Sequence, residues 1–419
     1  MRYAMVKNNK ISSISNEPIK SIDCIEISDE LSKIDSRDLI INAKVKDGKI
    51  VYKYLKKPTN QLKVALVSNY GSQCGLGTYA KFLYDELVGY VGDYKLFIEQ
   101  NDSYEVENPK IPNDKIVPCW KRGEKLSELI EKIKEYEPDI IHINHEYGLF
   151  PDARHWLSLL TQLQEYRVIV TMHSVFPHHQ DKIICEAAIP EIIVHLEGAK
   201  TNLKEEKKVL SKVYVIPHGC YSFSEEHFWN LYKSEHVFFT CGFGFRYKNF
   251  ENSIIATSIL KEKYPDIFFT AIFSESPHNK EEHQLYYNSL IELIDKLKIK
   301  DHIAIVRGFQ SNIVIDSYLR TNKAAVFPYT SDKKHEVFGS SGASRLALSA
   351  NIPVITSSIH HFSDLPSIKA DTPEEIAAKL DEVFSNPEII KTQLEKQKLY
   401  VQENSWQNIA LKYLEIFSQ

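Results

Sequence analysis

Histidines and acids gather where apolar runs of the sequence stop. His142 and His145-Glu146-Tyr147 close one such run, Thr171-Met172-His173 another, and Ile216-Pro217-His218-Gly219 a third. The carboxyl ends of parallel strands face the ligand crevice, so His145, Glu146, His173 and His218 are expected on one rim. Imidazole and carboxylate groups converging there could hold a ligand or exchange protons with it. Any one of these histidines alone is more simply a satisfied polar group; their convergence favours a site. A metal centre is the weaker reading. On a strand His142 and His145 point to opposite faces, and the His-Glu-x-x-His pattern of helical zinc sites is absent.

Three further segments carry chemistry suited to phosphate. SNYGSQCGLGTYAKFL (68–83) follows a strand-like run, and Gly75 and Gly77 admit backbone conformations closed to other residues. Thr78 is expected to open a helix whose free N–H groups could hold an anion. Gly75-Leu76-Gly77-Thr78-Tyr79-Ala80 also fits the G-x-G-x-x-A form of dinucleotide sites, with Glu99 near the end of the next strand, although the loop is longer than the usual tight turn. A plain strand-to-helix turn is the bland alternative. In CGFGFRYKNFENSI (241–254), Arg246 and Lys248 stand just before a helix expected from Phe250 onward, so a phosphate could meet cations and backbone donors together. A solvated basic turn is the alternative. In the third segment a strand is expected to end at Tyr329, and a polar loop follows with Glu336. Gly339-Ser340-Ser341-Gly342 then leads into the helical ASRLALSA, with Ser340 or Ser341 as its N-cap. A carboxylate for hydroxyls beside a helix end for phosphate suits a diphosphate attached to a polyol.

Strands and helices must position these groups. VALVSNY (64–70), KLFIEQ (95–100), IIHINHE (140–146), VIVTMHS (168–174), EIIVHL (191–196) and VYVIPHG (213–219) read as strands. Helix-length segments such as EKLSELIEKIKEYE (124–137) separate them, with apolar residues at Leu126, Leu129, Ile130 and Ile133. The pattern restarts with VFFTCGF (237–243), IFFTAIF (267–273), HIAIVRGF (302–309), AAVFPYT (324–330) and PVITSS (353–358). Unbroken apolar strands mean helices on both sheet faces, so the fold class is α/β with two doubly wound, Rossmann-like domains facing a cleft. The hinge is expected around 217–235. A small β-rich segment precedes them at 1–60, with Lys46-Asp47-Gly48-Lys49 as a hairpin turn. The expected division is 1–60, 61–217, 218–400 and a terminal helix in 401–419.

Length and composition agree. The 419 residues are 43% hydrophobic and 26% charged, which excludes collagen-like, mucin-like and wholly disordered chains. Lys plus Arg total 51 against 56 for Asp plus Glu, net −5, so no global grip on nucleic acid or anionic lipid is expected. No apolar run reaches the length of a membrane helix, and MRYAMVKNNK lacks the core of a secretory signal. Cys24, Cys74, Cys119, Cys185, Cys220 and Cys241 are scattered without a Cys-x-x-Cys pair, which points to a cytoplasmic setting.

Taken together the motifs resemble the GT-B glycosyltransferases, most of all the large retaining family four. The matching pieces are Gly75-Leu76-Gly77, Asp139-Ile140-Ile141-His142, Thr171-Met172-His173, Ile216-Pro217-His218-Gly219, Lys248-Asn249 and Glu336-Val337-Phe338-Gly339 with Pro353-Val354-Ile355 after it. Asn404-Ser405-Trp406 and the closing helix resemble the segment that crosses back to the first domain. The resemblance implies sugar transfer from a nucleotide-diphosphate donor, such as a UDP- or GDP-sugar, with retention and with no metal or other cofactor. It implies catalytic roles for His173, Glu336, Lys248 and Arg246, donor contacts at Gly75, Gly77, Gly242, Gly308, Ser340, Ser341 and Gly342, and acceptor contacts at His145, Glu146 and Tyr147. Two departures stand out. Ser344 occupies the second position of the family's E-x7-E, and Phe243 stands where an arginine is usual, so Arg246 or Arg345 would substitute.

The acceptor could be a glycan, a lipid-linked sugar, a protein or a modified nucleobase in DNA. Aromatics and histidines around Tyr147–His155 and Phe176–His179 could line its groove, while Lys121, Arg122 and Lys125 form only a modest basic cluster. The rival readings are an NAD(P)-dependent oxidoreductase on Gly75-x-Gly77, a nucleotide-sugar epimerase, and an inactive scaffold that binds partners through 1–60.

Overall fold

A computed structural model describes residues 3–7, 10–15, 24–27, 43–46, 49–52, 57–100, 110–181, 183, 190–221, 234–276, 279–331 and 336–419. The first sheet holds β1 (Tyr3–Lys7), β2 (Lys10–Ser15), β3 (Cys24–Glu26), β4 (Ala43–Lys46) and β5 (Lys49–Tyr52) in the order β3-β1-β2-β4-β5, all antiparallel. Lys46 faces Lys49, the register of the expected hairpin, whose turn residues Asp47 and Gly48 lie outside the described residues.

The second sheet contains β6 (Lys63–Ser68), β7 (Asp93–Glu99), β8 (Ile116–Trp120), β9 (Ile140–His145), β10 (Arg167–Met172), β12 (Glu191–Val194) and β13 (Val213–Val215). Its order is β13-β12-β10-β9-β6-β7-β8, every pair parallel. The short β11 (Ser174–Val175) lies outside it. Strand β8 was not among the sequence-predicted strands. It carries Pro118 at the sheet's edge, where a missing N–H is tolerated but the apolar run is interrupted.

A third sheet contains β14 (Val237–Phe243), β15 (Phe268–Ser274), β16 (Ile303–Arg307), β17 (Ala324–Phe327), β19 (Val354–Thr356) and the short edge strand β20 (Ile368–Lys369), in the parallel order β16-β15-β14-β17-β19-β20. Strand β18 (Phe338–Gly339) pairs instead with β11. In both parallel sheets the first strand lies beside the fourth, so the chain winds outward both ways and leaves a crevice at their carboxyl ends. The crevice of the seven-stranded sheet opens between β6 and β9, which lead into the glycine loop and Glu146. That of the six-stranded sheet opens between β14 and β17, which lead into Lys248 and Tyr329.

The helix Trp406–Phe417 returns to the seven-stranded half. Tyr413 Oη lies 2.8 Å from Tyr79 Oη and 2.9 Å from Thr171 Oγ1. Arg167, ion-paired with Glu191 at 2.6 Å, donates to the carbonyls of Phe417 (2.8 Å) and Ile416 (2.7 Å). The two covalent crossings run side by side, since Cys220 N–H donates to the Asn404 carbonyl at 2.7 Å. Among the described residues no helix is long and apolar enough to cross a membrane.

Candidate active site

Adjacent strands of a parallel sheet end side by side, and β10, β12 and β13 are each followed by a histidine. His173, His195 and His218 therefore form a row, with ring centroids 5.0 Å and 5.7 Å apart. Tyr79, from the helix Gly75–Leu87, packs against all three at 4.4, 5.3 and 5.1 Å. His195 Nδ1 lies 2.9 Å from the Ile216 carbonyl, which can only accept, so this nitrogen carries the ring proton. Burial holds His195 down at about 4, so the ring is neutral and its Nε2 keeps a lone pair, 3.3 Å from His173 Nδ1. His173 is held well below the usual histidine range, first by burial and then by its imidazole neighbours. Its Nε2 lies 3.4 Å from Asn144 Oδ1, which can only accept, so the single proton of the neutral ring is drawn both ways, to Asn144 from Nε2 and to His195 from Nδ1. His218 is likewise held neutral, chiefly by burial, and bonds the Gly219 carbonyl at 2.8 Å.

His145 does not join this rim. Three residues beyond His142 on β9, it faces the other side of the sheet, fully buried among Tyr147, Phe150 and Trp156, and burial lowers it to about 3. His142 lies inside the molecule between Tyr84 Oη (3.2 Å) and Thr171 Oγ1 (2.8 Å). Glu146 does reach the cleft. Burial raises its carboxyl above the usual range, against hydrogen bonds from Ser174 and the Tyr147 N–H, and its charge is felt by Tyr247 of the opposite half. Tyr147 is a buried wall, its hydroxyl donating to Asp181 at 2.8 Å.

At the glycine loop the helix starts at Gly75, three residues before Thr78, because Cys74 is its N-cap. The Cys74 Sγ accepts from Gly77 N–H at 3.3 Å and from Asn69 Nδ2 at 2.8 Å. A methyl group at Gly77 would overlap the Ser72 carbonyl and lie 3.0 Å from that of Asn69, whereas one at Gly75 would meet nothing within 4 Å. Gly77→Ala is therefore expected to cost roughly 1–3 kcal/mol of stability, and Gly75→Ala to melt like the parent; paired thermal denaturation curves check this. Glu99 is taken by a two-pronged ion pair with Arg122, at 3.2 and 3.1 Å. A ribose would have to displace that guanidinium, so millimolar NAD or NADP is expected to leave the melting temperature unchanged.

On the opposite half the helix Gly342–Ser349 is capped by Ser341, whose Oγ accepts from Ser344 N–H at 3.3 Å and lies 3.2 Å from Tyr329 Oη. Ser340 Oγ is buried and has no partner among the described residues. The Lys248 ammonium rests 3.8 Å from the Tyr329 ring centre and 4.9 Å from that of Tyr247, and among the described residues it has no ion-pair partner. Burial lowers it to about 7. Gly242 leaves room beside it: a methyl group there would stand 3.6 Å from Lys248 Cε. Gly308 has a φ of +98° at the end of β16 and open space where a side chain would be. A methyl group at Gly342 would stand 3.3 Å from His218 Nε2, so this helix end meets the histidine row.

Three expected cations and acids lie differently. Arg246 turns over the Tyr286 ring, 5.2 Å from its centre. Arg345 is fully buried, bonding Asp364 at 2.5 Å and the Ser341 carbonyl at 3.1 Å. Glu336 is exposed, 3.7 Å from His360 Nε2. Sequence reasoning passed over His195, although it ends its strand as His173 does, and Tyr79, on the buried helix face. It also missed His361, which burial and the nearby Lys248 hold at about 4; no local pattern marks it. Among the described residues no group of three His, Cys, Asp or Glu side chains is arranged to hold a metal.

Solved structures share this architecture across 85–86% of the chain. Sucrose-phosphate synthase from Thermosynechococcus elongatus superposes with a TM-score of 0.67 at 16% identity, with 98% of its own chain covered. Anabaena HepE, solved with UDP and glucose, gives 0.67 at 12% identity over all of its chain. The fold is GT-B. A third GT-B structure, the UDP-forming α,α-trehalose-phosphate synthase from Burkholderia xenovorans in complex with glucose-6-phosphate, gives 0.68 at 11%, again over 100% of its chain. No protein-family model matches the chain, and no curated protein matches it in sequence.

Proposed function

We propose that the chain is a glycosyltransferase, moving a sugar from a nucleoside-diphosphate donor to an acceptor hydroxyl with retention and without a metal. The observation that carries this reading is the half-buried Lys248 ammonium, free of a carboxylate partner among the described residues and set near the Ser341-capped helix. Departure of a nucleoside diphosphate creates negative charge, which a fixed cation and a helix N-terminus stabilise without reorganisation. Ser340 Oγ, Gly342 and Gly242 would line the donor diphosphate, with Gly308 nearer the nucleoside and Gly75 and Gly77 opening the facing wall. His173 would hydrogen-bond a hydroxyl of the transferred sugar, and Glu336 would bind others once its loop turns inward. Arg246, turned over Tyr286, would have to swing to help Lys248.

Glu146 is the acceptor-side group in this reading, with His145 and Tyr147 holding its loop from behind. The GT-B structures solved with UDP and glucose or with glucose-6-phosphate make a UDP-sugar the first donor to try and a sugar the first acceptor. The corresponding division of the chain is 1–60, 61–217 as acceptor domain, 218–400 as donor domain and 401–419 crossing back, in a cytoplasmic protein. A thermal-shift screen of UDP- and GDP-sugars, followed by NMR of the product anomer with and without EDTA, tests the proposal. Retained configuration, indifference to EDTA and loss of turnover in Glu336→Ala are expected. Absence of binding across the donor panel would overturn it.

A further inference from the structure

By chain position Phe338 belongs to the six-stranded half, between β17 and the Gly342–Ser349 helix. Its ring nevertheless packs into the apolar core of the seven-stranded half, where it is 7% exposed. The backbone explains how it gets there. β18 pairs antiparallel with β11, Val175 opposite Phe338 and Ser174 opposite Gly339, joining the halves across the cleft by a two-residue ladder. The ring rests on Gly198, in the helix Glu197–Thr201 that follows β12. A methyl group at Gly198 would stand 2.7 and 2.9 Å from two Phe338 ring carbons, so the seat is cut to the ring. On its outer side the ring meets His360 at 4.5 Å between centroids, the same His360 that lies 3.7 Å from Glu336. The next residue, Gly339, is close enough to the rim that a methyl group there would stand 3.4 Å from the His173 carbonyl, Ser174 Oγ and His361 Nε2.

We propose that Phe338 is a positioning residue whose ring, seated against Gly198, fixes the Glu336–Gly339 segment at the histidine rim when the halves close. Opening the cleft would pull an aromatic ring out of an apolar seat into water, so the seat favours the closed arrangement. It also ties closure to the site, because the segment that carries the ring carries Glu336 two residues before it and Gly339 one residue after it. The importance of Glu336 rests on the glycosyltransferase reading; the seating of the ring does not.

Gly198→Ala isolates the seat. Alanine suits a helix better than glycine, so the seven-stranded half should fold at least as well, while the added methyl denies Phe338 its place. Phe338→Ala empties the seat without inserting anything, and Gly198→Ala with Phe338→Leu rebuilds a smaller fit. Small-angle scattering should show both single variants more open than the parent. With the nucleotide sugar chosen by the donor screen, kcat should fall by roughly 10²-fold, the cost of misplacing a group by about an ångström, with a smaller change in KM. The Gly198→Ala, Phe338→Leu pair should recover part of both. Parent-like scattering in both single variants, or a Gly198→Ala loss that Phe338→Leu leaves untouched, would overturn the proposal. If no donor is turned over by the parent, the glycosyltransferase reading fails, and the scattering comparison still decides the seat.

Discussion

Lys248→Ala is expected to lower donor turnover by about 10²–10³-fold, the loss seen when one fixed donor to a developing anion is removed. The side chain is suited to that work because its charge is not already spent. Two aromatic faces flank it, no carboxylate pairs with it among the described residues, and burial brings it down to about 7. The same fact makes donor binding pH-dependent with a definite sign. In the free protein the ammonium loses its proton as pH rises through about 7. A bound diphosphate favours the charged form and draws the proton back, so binding takes up as much as one proton above that pH. Affinity should be flat below pH 7 and fall by up to about tenfold per pH unit above it, until the lysine titrates in the complex as well. Calorimetry of UDP-glucose binding at pH 8, in buffers of different ionisation enthalpy, measures that uptake directly. Lys248→Met should abolish it. Uptake unchanged in Lys248→Met would assign the proton to another group.

Arg345→Ala should destabilise the fold by about 3–5 kcal/mol, the usual consequence of breaking a buried ion pair from one side. Its guanidinium is fully buried and is held by Asp364, the Ser341 carbonyl and the Tyr400 hydroxyl, which itself donates to Asp364 at 2.7 Å. Removing it leaves the Asp364 carboxylate with only the Tyr400 hydroxyl and the Ser341 carbonyl without the guanidinium. Urea denaturation reads the loss. Replacing both members, Arg345→Met with Asp364→Leu, should restore most of it, because an apolar pair of similar volume has no charge to desolvate. The double variant separates two roles for Arg345. If it recovers stability and donor affinity together, the arginine is a strut beneath the Gly342–Ser349 helix. Recovered stability with lost affinity would make it the substitute for the arginine that Phe243 displaces.

The two-domain frame was legible because its strands are buried on both faces and so appear as unbroken apolar runs, VFFTCGF matching β14 residue for residue. Where a strand lay at an edge and carried proline, as β8 does, the run was broken and the strand went unseen. The rim was legible in part. His173 and His218, at strand carboxyl ends, stand in one row with His195, but alternation of side chains sent His145 through the sheet to an aromatic pocket. The period of two already put His142 and His145 on opposite faces, but it did not say which of the two faces the aromatic pocket occupies. The sequence offered Arg345 as a spare cation but could not show its burial, which is known only with its partner Asp364, nineteen residues on. Phe338 was quoted as part of a motif, but its seat against Gly198 joins residues 140 positions apart, a distance no local spacing encodes.

The returning helix bears on how the protein is made. The seven-stranded sheet is complete once β13 has left the ribosome, but the surface around Thr171 and Tyr79 is closed by Tyr413, and Arg167 by the carbonyls of Ile416 and Phe417. Those residues are synthesised about 200 positions later, which at ordinary elongation rates is roughly 10–40 s. For that interval the nascent first half holds an unfinished face: the Tyr79 hydroxyl lacks Tyr413, and Thr171 and Arg167, already held by His142 and Glu191, lack their further partners. Its maturation trails the assembly of its sheet, and the unfinished half is the species a chaperone would meet.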